Sequence, residues 1–300
     1  MQINMIRSDK VYQEMLELPL EKREGCFRAK ILAPFATKYQ TQHIPLKAKY
    51  PGGFDALFLL GFMNQLPSTL SEKDRPAIDA LSSDQLWQNC QDTIKRSIGL
   101  FEQAGYDLEV EDYHFTILLG NPEKPMLQLN KGYSGDGGIP GYLMLSLLPN
   151  DYTLPRVQAA LAHECNHNVR FQFVKWNQQT TLADWVVSEG LAESFAAELY
   201  GKDLIGPWVT STSPEQLEEI KPIISSQLQL TGMAEMAPYL YGDEIAKIQG
   251  QIPVGMPYAA GYAYGYHLIQ AYLKKTGKSI IEATVTPTEE ILEATKDFWK

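Results

Sequence analysis

The sequence is short of cysteine, of long apolar stretches and of positive charge, and each shortage removes a class of protein. Its three cysteines, Cys26, Cys90 and Cys165, are odd in number and far apart. They make neither a disulfide framework nor a cysteine-based zinc knuckle, and they point to a reducing compartment. The longest apolar run, Ala56 to Met63, falls far short of the ~20 residues that a membrane-spanning helix needs. The N-terminal residues carry charges every few positions and no apolar core, so no signal peptide, no membrane partner and a cytoplasmic location are expected. Lys and Arg number 26 against 36 Asp and Glu, a formal charge of −10. A surface that acidic repels phosphate backbones, so no nucleic-acid partner is expected. Repeats and low-complexity blocks are absent, which removes solenoids and arrays. The glycine-rich stretch 130–140 has no Gly-Lys-Ser/Thr ending and feeds no helix, so it reads as a flap or hairpin connection and not as a phosphate cradle.

What remains is a globular chain of 300 residues, 44% hydrophobic and 21% charged, long enough for one large domain or two modest ones. Residues 84–105 carry apolar side chains at helical spacing, with Leu86, Trp87, Cys90, Ile94, Ile98 and Phe101 on one side. The period then changes. Residues 114–119 and 142–148 are short apolar runs bounded by Gly, Pro and Asn, as in strands. A helix follows from Pro155 to about Phe173, with Thr153 or Asp151 as its cap, and another runs from Thr181 to Tyr200, ended by Gly201. From there to Lys300 nearly everything reads as helix punctuated by proline.

The chemistry concentrates in His163-Glu164-Cys165-Asn166-His167. Histidines at i and i+4 lie one above the other on a helix face, so both imidazoles can reach one ion. Glu164 sits beside that pair, where its carboxylate can take a proton from a water acidified by zinc. A catalytic zinc site needs a third protein ligand. Glu189, with 21 residues intervening after His167, lies on the next helix, and a short turn can bring it back alongside the pair. Glu193 is one turn further on the same face, placed to accept the other ring N–H of a ligating histidine. Cys165, at i+2 from His163, points away from that face and reads as a packing residue.

His-Glu-x-x-His followed by Trp185-Val-Val-Ser-Glu-Gly-Leu-Ala-Glu193 resembles the gluzincin metallopeptidases, the group of thermolysin and the M1 aminopeptidases. The pairing of that helix with Glu-Gly-Leu-Ala-Glu and a later Tyr/Gly-rich helix, here Tyr258 to His267, is most similar to the family of predicted zinc-dependent proteases designated DUF2268 (YjaZ-like). The resemblance covers residues 140–275. It implies His163, His167 and Glu189 as ligands of one zinc per chain, Glu164 as general base and Glu193 as their supporting carboxylate. It also implies that strand 142–148 is the cleft edge against which an extended peptide pairs. Gluzincins hold the developing oxyanion with a Tyr or His well past the glutamate ligand. Tyr258, Tyr262, Tyr264, Tyr266 and His267 are candidates, and Tyr262 is the residue chosen. The M1 exopeptidase motif Gly-Ala-Met-Glu-Asn is absent, and with it the basis for expecting N-terminal amine recognition.

The expected architecture is therefore α+β and zincin-like: a small mixed sheet plus the His-Glu-x-x-His helix, then a mostly helical C-terminal half. Residues 1–110 form a mainly helical region without assigned role, 111–176 the α/β core, and 177–300 a helical subdomain carrying Glu189, with 111–300 sharing one active site. The expected function is zinc-dependent hydrolysis of peptide bonds in a peptide or protein substrate. The alternatives are a catalytically inactive zincin-fold metal-binding or regulatory module, and a zinc hydrolase of a non-peptide amide.

Overall fold

The computed structural model describes residues 1–300 and is a mixed α+β fold with one small sheet among many helices. Its contacts divide it into two compact units, residues 1–96 with 109–164 and residues 97–108 with 165–300. Of the three division points, two fall inside continuous helices, Asp84–Gln103 and Val157–Phe173, and the third, at Leu108, lies just before the strand Asp112–Leu119. No helix is long and apolar enough to cross a membrane.

The first unit holds the sheet, made of β1 (Gln2–Met5), β2 (Asp112–Leu119), β3 (Tyr133–Ile139) and β4 (Tyr142–Leu147), in the order β1-β2-β4-β3. β1 and β4 run parallel to β2, and β3 runs antiparallel to β4. Residues 115–119 of β2 are all buried. That is the continuous apolar run expected of a strand covered on both faces. β1 comes from the extreme N-terminal stretch. At four residues it is too short to show a pattern, yet it pairs Gln2 with Asp112 through Met5 with Phe115. The Asp84–Gln103 helix buries Trp87, Cys90 and Ile94 as its spacing predicts, and Trp87 meets Phe115 of β2 edge-on with ring centroids 6.0 Å apart.

Two expectations change in this unit. The glycine-rich stretch, read as a flap or hairpin connection, is mostly strand β3, one arm of a hairpin with β4, and strand 142–148, expected to be the cleft edge, is an interior strand between β2 and β3. The outer position belongs to β3. Alternating hydrophobicity cannot mark β3, because three of its seven residues are glycine and its pairing is carried by backbone alone. The two strands are joined at Pro140-Gly141, with Gly141 at φ 86°, a left-handed conformation glycine adopts without steric cost. Thr153 does not cap the helix after β4: its hydroxyl bonds Leu148 O and accepts from Asn150 N–H. A single turn, Leu154–Arg156 with Pro155 inside it, leads into Val157–Phe173 instead.

The second unit is built around the helix Leu182–Tyr200, in which every residue from Leu182 to Ala196 except Asp184 is buried. A helix apolar all round is a core helix. Its start is fixed by a reciprocal pair of bonds: Thr181 Oγ1 accepts from Asp184 N–H at 3.2 Å while Asp184 Oδ2 accepts from Thr181 N–H at 2.9 Å. Such a capping box contributes about 1 kcal/mol. Gly201, at φ 95°, ends it. The tyrosine-rich helix Ala260–Thr276 packs against it at Gly190 and Gly265. A Cβ on Gly190 would overlap the carbonyl of Gly265, and one on Gly265 would overlap the carbonyl of Val186. Gly261 serves a different neighbour, lying against Leu240 of the helix Met233–Tyr241.

Candidate metal centre

His163 and His167 project from the Val157–Phe173 helix and Glu189 from Leu182–Tyr200. All three are buried, at 4%, 6% and 8% exposure, and their ligand atoms lie within 4.8 Å of one another. His167 Nε2 stands 3.2 Å from Glu189 Oε2. Two ligands bound to one zinc at about 2.1 Å, separated by a tetrahedral angle, stand about 3.4 Å apart. The donor chemistry fits as well, since two imidazoles and one carboxylate make a set that leaves a fourth position for water or substrate. The ring of His167 is itself held, stacked on Phe171 one turn later with centroids 5.7 Å apart and planes 4° from parallel.

Glu164 is also buried, and β3 lies against it. A side chain at Gly135 would overlap its carboxylate, and one at Gly137 would overlap its backbone carbonyl. Gly135 and Gly137 are two apart, so both present the same face of the strand. From the sequence these glycines read as part of a flap or hairpin connection. Their spacing of two was the available signal that a strand face had been cleared for another group.

Glu193 is buried one turn after Glu189. Its Oε1 accepts the N–H of Gly206 at 2.6 Å and its Oε2 accepts the indole N–H of Trp208 at 2.7 Å. Trp208 lies 6.4 Å from the ring of Tyr262, and Tyr262 lies 6.1 Å from Tyr241, which meets Trp185 edge-on. Trp185 is one turn before Glu189. Tyr262, half-buried, thus lies beside two aromatic rings whose partners are on the helix of Glu189. The tyrosine face is shorter than its sequence spacing implies: the helix starts at Ala260, and Ala259 adopts a left-handed conformation, so Tyr258 precedes it. Tyr264 is fully buried and its hydroxyl meets Ser225 Oγ at 3.0 Å, with burial pushing its pKa up to about 12. Tyr266 is raised too, by burial and then by the charge of the Glu193 carboxylate. Burial, aided by Lys221, pushes the His267 imidazole below its ordinary value.

Arg170 escaped the sequence reading. It is wholly buried one turn past His167, and its guanidinium donates to Ser188 Oγ, Thr284 O, Thr286 O and Thr288 Oγ1 at 2.8–3.1 Å. Ser188 immediately precedes Glu189, so the planar fork of Arg170 ties the helices of His167 and Glu189 to the 284–288 segment. Burial pulls its pKa down to about 10.

Residues 86–293 match the family described as Predicted Zn-dependent protease (DUF2268). The chain belongs to this DUF2268 family. It is 34% identical over 293 residues to the uncharacterized protein YjfC of Bacillus subtilis (strain 168), covering 97% of each chain. It is 27% identical over 155 residues to the uncharacterized protein YjaZ of the same organism, which is 50% of this chain and 55% of that one. No solved structure matches it significantly. The DUF2268 match spans both histidines, Glu164, Glu189 and the tyrosine-rich helix.

Proposed function

We propose that this chain is a zinc-dependent metallopeptidase of gluzincin type with a zincin-like core, and the observation that carries the reading is the buried His163–His167–Glu189 cluster. Those three residues would hold one zinc ion. Bound there, zinc supplies a Lewis acid that acidifies water and polarises a carbonyl. Glu164, next to the ligand pair and held against β3, takes the proton from the attacking water and passes it to the leaving amine. Tyr262, steadied by Trp208 and Tyr241, donates a hydrogen bond to the oxygen that gains charge as the carbonyl becomes tetrahedral. Glu193 keeps that wall in place through Trp208. The substrate is an extended peptide or protein segment.

Purified protein should contain one zinc per chain, and a peptide library should be cleaved without chelator and left intact with it. Glu164→Gln should keep the zinc and lose about 10²–10⁴-fold in rate, the range a positioned acid–base group contributes. His163→Ala should lose the metal. A metal-free wild-type protein, or full cleavage by Glu164→Gln, would remove this reading.

A further inference from the structure

The stretch preceding β2 has no part in the proposed chemistry, yet it contributes a wholly buried cation aimed at the strand that covers Glu164. Lys38 lies in the short helix Ala36–Thr41 and is 1% exposed. Its ammonium stands 2.7 Å from Asp136 Oδ2 and 3.2 Å from Gln42 Oε1. Asp136 is on β3, between the two glycines that clear space for Glu164.

The position of Asp136 on the strand gives this pair its meaning. Asp136 pairs with Met144, and the next matched pair is Ile139 with Tyr142. Gly137 and Gly138 therefore oppose the single residue Leu143, a bulge with one extra residue. Two consecutive glycines have no intrinsic preference that would hold a bulge at one place. Asp136 holds it from both oxygens: Oδ1 accepts from Gly138 N–H at 3.3 Å, across the bulge, while Oδ2 faces Lys38. The adjacent Tyr39 places its hydroxyl 3.9 Å from the sulfur of Met144, the residue opposite Asp136. Lys38 and Tyr39 therefore grip both sides of one rung of the β3–β4 ladder, at the point where its register breaks.

We propose that Lys38 is a positioning residue for Glu164: its ion pair with Asp136 pins the glycine bulge so that Gly135 and Gly137, and no residue bearing a Cβ, face Glu164. A one-residue slip exchanges the two faces of a strand. It would turn Ser134 or Asp136 toward Glu164, where a Cβ cannot be accommodated without displacing the carboxylate. A buried ammonium is strongly disfavoured without its counter-charge, so the pair resists opening. The inference rests on the reading of Glu164 as general base.

The test uses Lys38→Met and Lys38→Arg in the full chain. Displacing a catalytic group by about 1 Å costs about 10²-fold in rate. Lys38→Met should therefore lower kcat on that scale and leave KM and zinc content unchanged. Hydrogen exchange should accelerate in residues 133–139 and not elsewhere, and Lys38→Arg should restore both readouts. Should Lys38→Met not fold, Asp136→Asn removes the charge at a half-exposed position and is read in the same way. Wild-type exchange across β3 in these variants, or a kcat loss with no local change in exchange, would overturn the proposal. Absence of metal-dependent cleavage in the wild type would defeat the peptidase reading, while the exchange at β3 would still decide whether Lys38 pins the bulge.

Discussion

At the scale of single residues, three side chains in and around the candidate site are held by defined neighbours. His167 is stacked on Phe171, Glu193 receives two N–H donors, and Arg170 spends its guanidinium on two hydroxyls and two carbonyls. Groups locked in this way cost little reorganisation during reaction, which is where preorganised electrostatics acts. Tyr262 tests that idea. Its ring packs between Trp208 and Tyr241, so Tyr262→Phe keeps the packing and removes only the hydroxyl. The expected result is a fall of about 10²–10³ in kcat with KM within about threefold, the signature of a lost oxyanion donor. Wild-type kcat in that variant would transfer the role to another group, and Tyr266, which feels the Glu193 carboxylate, would be next to examine.

At the scale of elements, the decisive contact is between Leu182–Tyr200 and Ala260–Thr276. Gly190 and Gly265 let the two backbones meet, each offering bare backbone where the other presents a carbonyl. This gives a physical reason for glycine directly after Glu189, since any side chain there would push away the helix that carries Tyr262. Gly190→Ala should cost about 1–3 kcal/mol, as overpacking does, and should weaken zinc binding, because Glu189 is the neighbouring residue. Calorimetry and zinc titration measure both, and an unchanged melting temperature would mean that the helices separate freely. Gly261 and Gly265, four residues apart, both admit close neighbours. Their neighbours differ: Gly265 meets the Glu189 helix and Gly261 meets Met233–Tyr241. One helix repeats its faces every few residues, but which partner lies on each face depends on how the chain returns.

At the scale of the whole molecule, buried weak acids set the alkaline limit of stability. Burial raises the Cys90 thiol from its ordinary 9 to about 12 and the Tyr264 phenol from 10 to about 12, and it raises Tyr12 and Tyr39 as well. Between the ordinary and the raised values the folded chain keeps protons that the unfolded chain releases. The unfolded state binds fewer protons there, so stability falls with rising pH. Unfolding midpoints in urea should be level at neutral pH, begin to drop near pH 9 as unfolded Cys90 ionises, and drop more steeply above 10 as the tyrosines follow. In Cys90→Ala the onset should move toward pH 10. A flat profile to pH 11 would show that these groups ionise alike in both states.

The sequence alone determined what is local. The two histidines on one helix face, Glu164 beside them, the helix ending at Gly201 and the placement of Glu189 and Glu193 one turn apart all follow from helix geometry, which acts within a few residues. Tertiary structure decided what is not local. It made β3 the outer strand and β4 an interior one, put β1 into the sheet, cleared Gly135 and Gly137 for Glu164, and brought Lys38 and Arg170 to their partners. Strand pairing and buried ion pairs join residues about a hundred positions apart in the chain. The glycine spacing at 135 and 137 marks a cleared strand face, but without a side chain it does not say which group fills it.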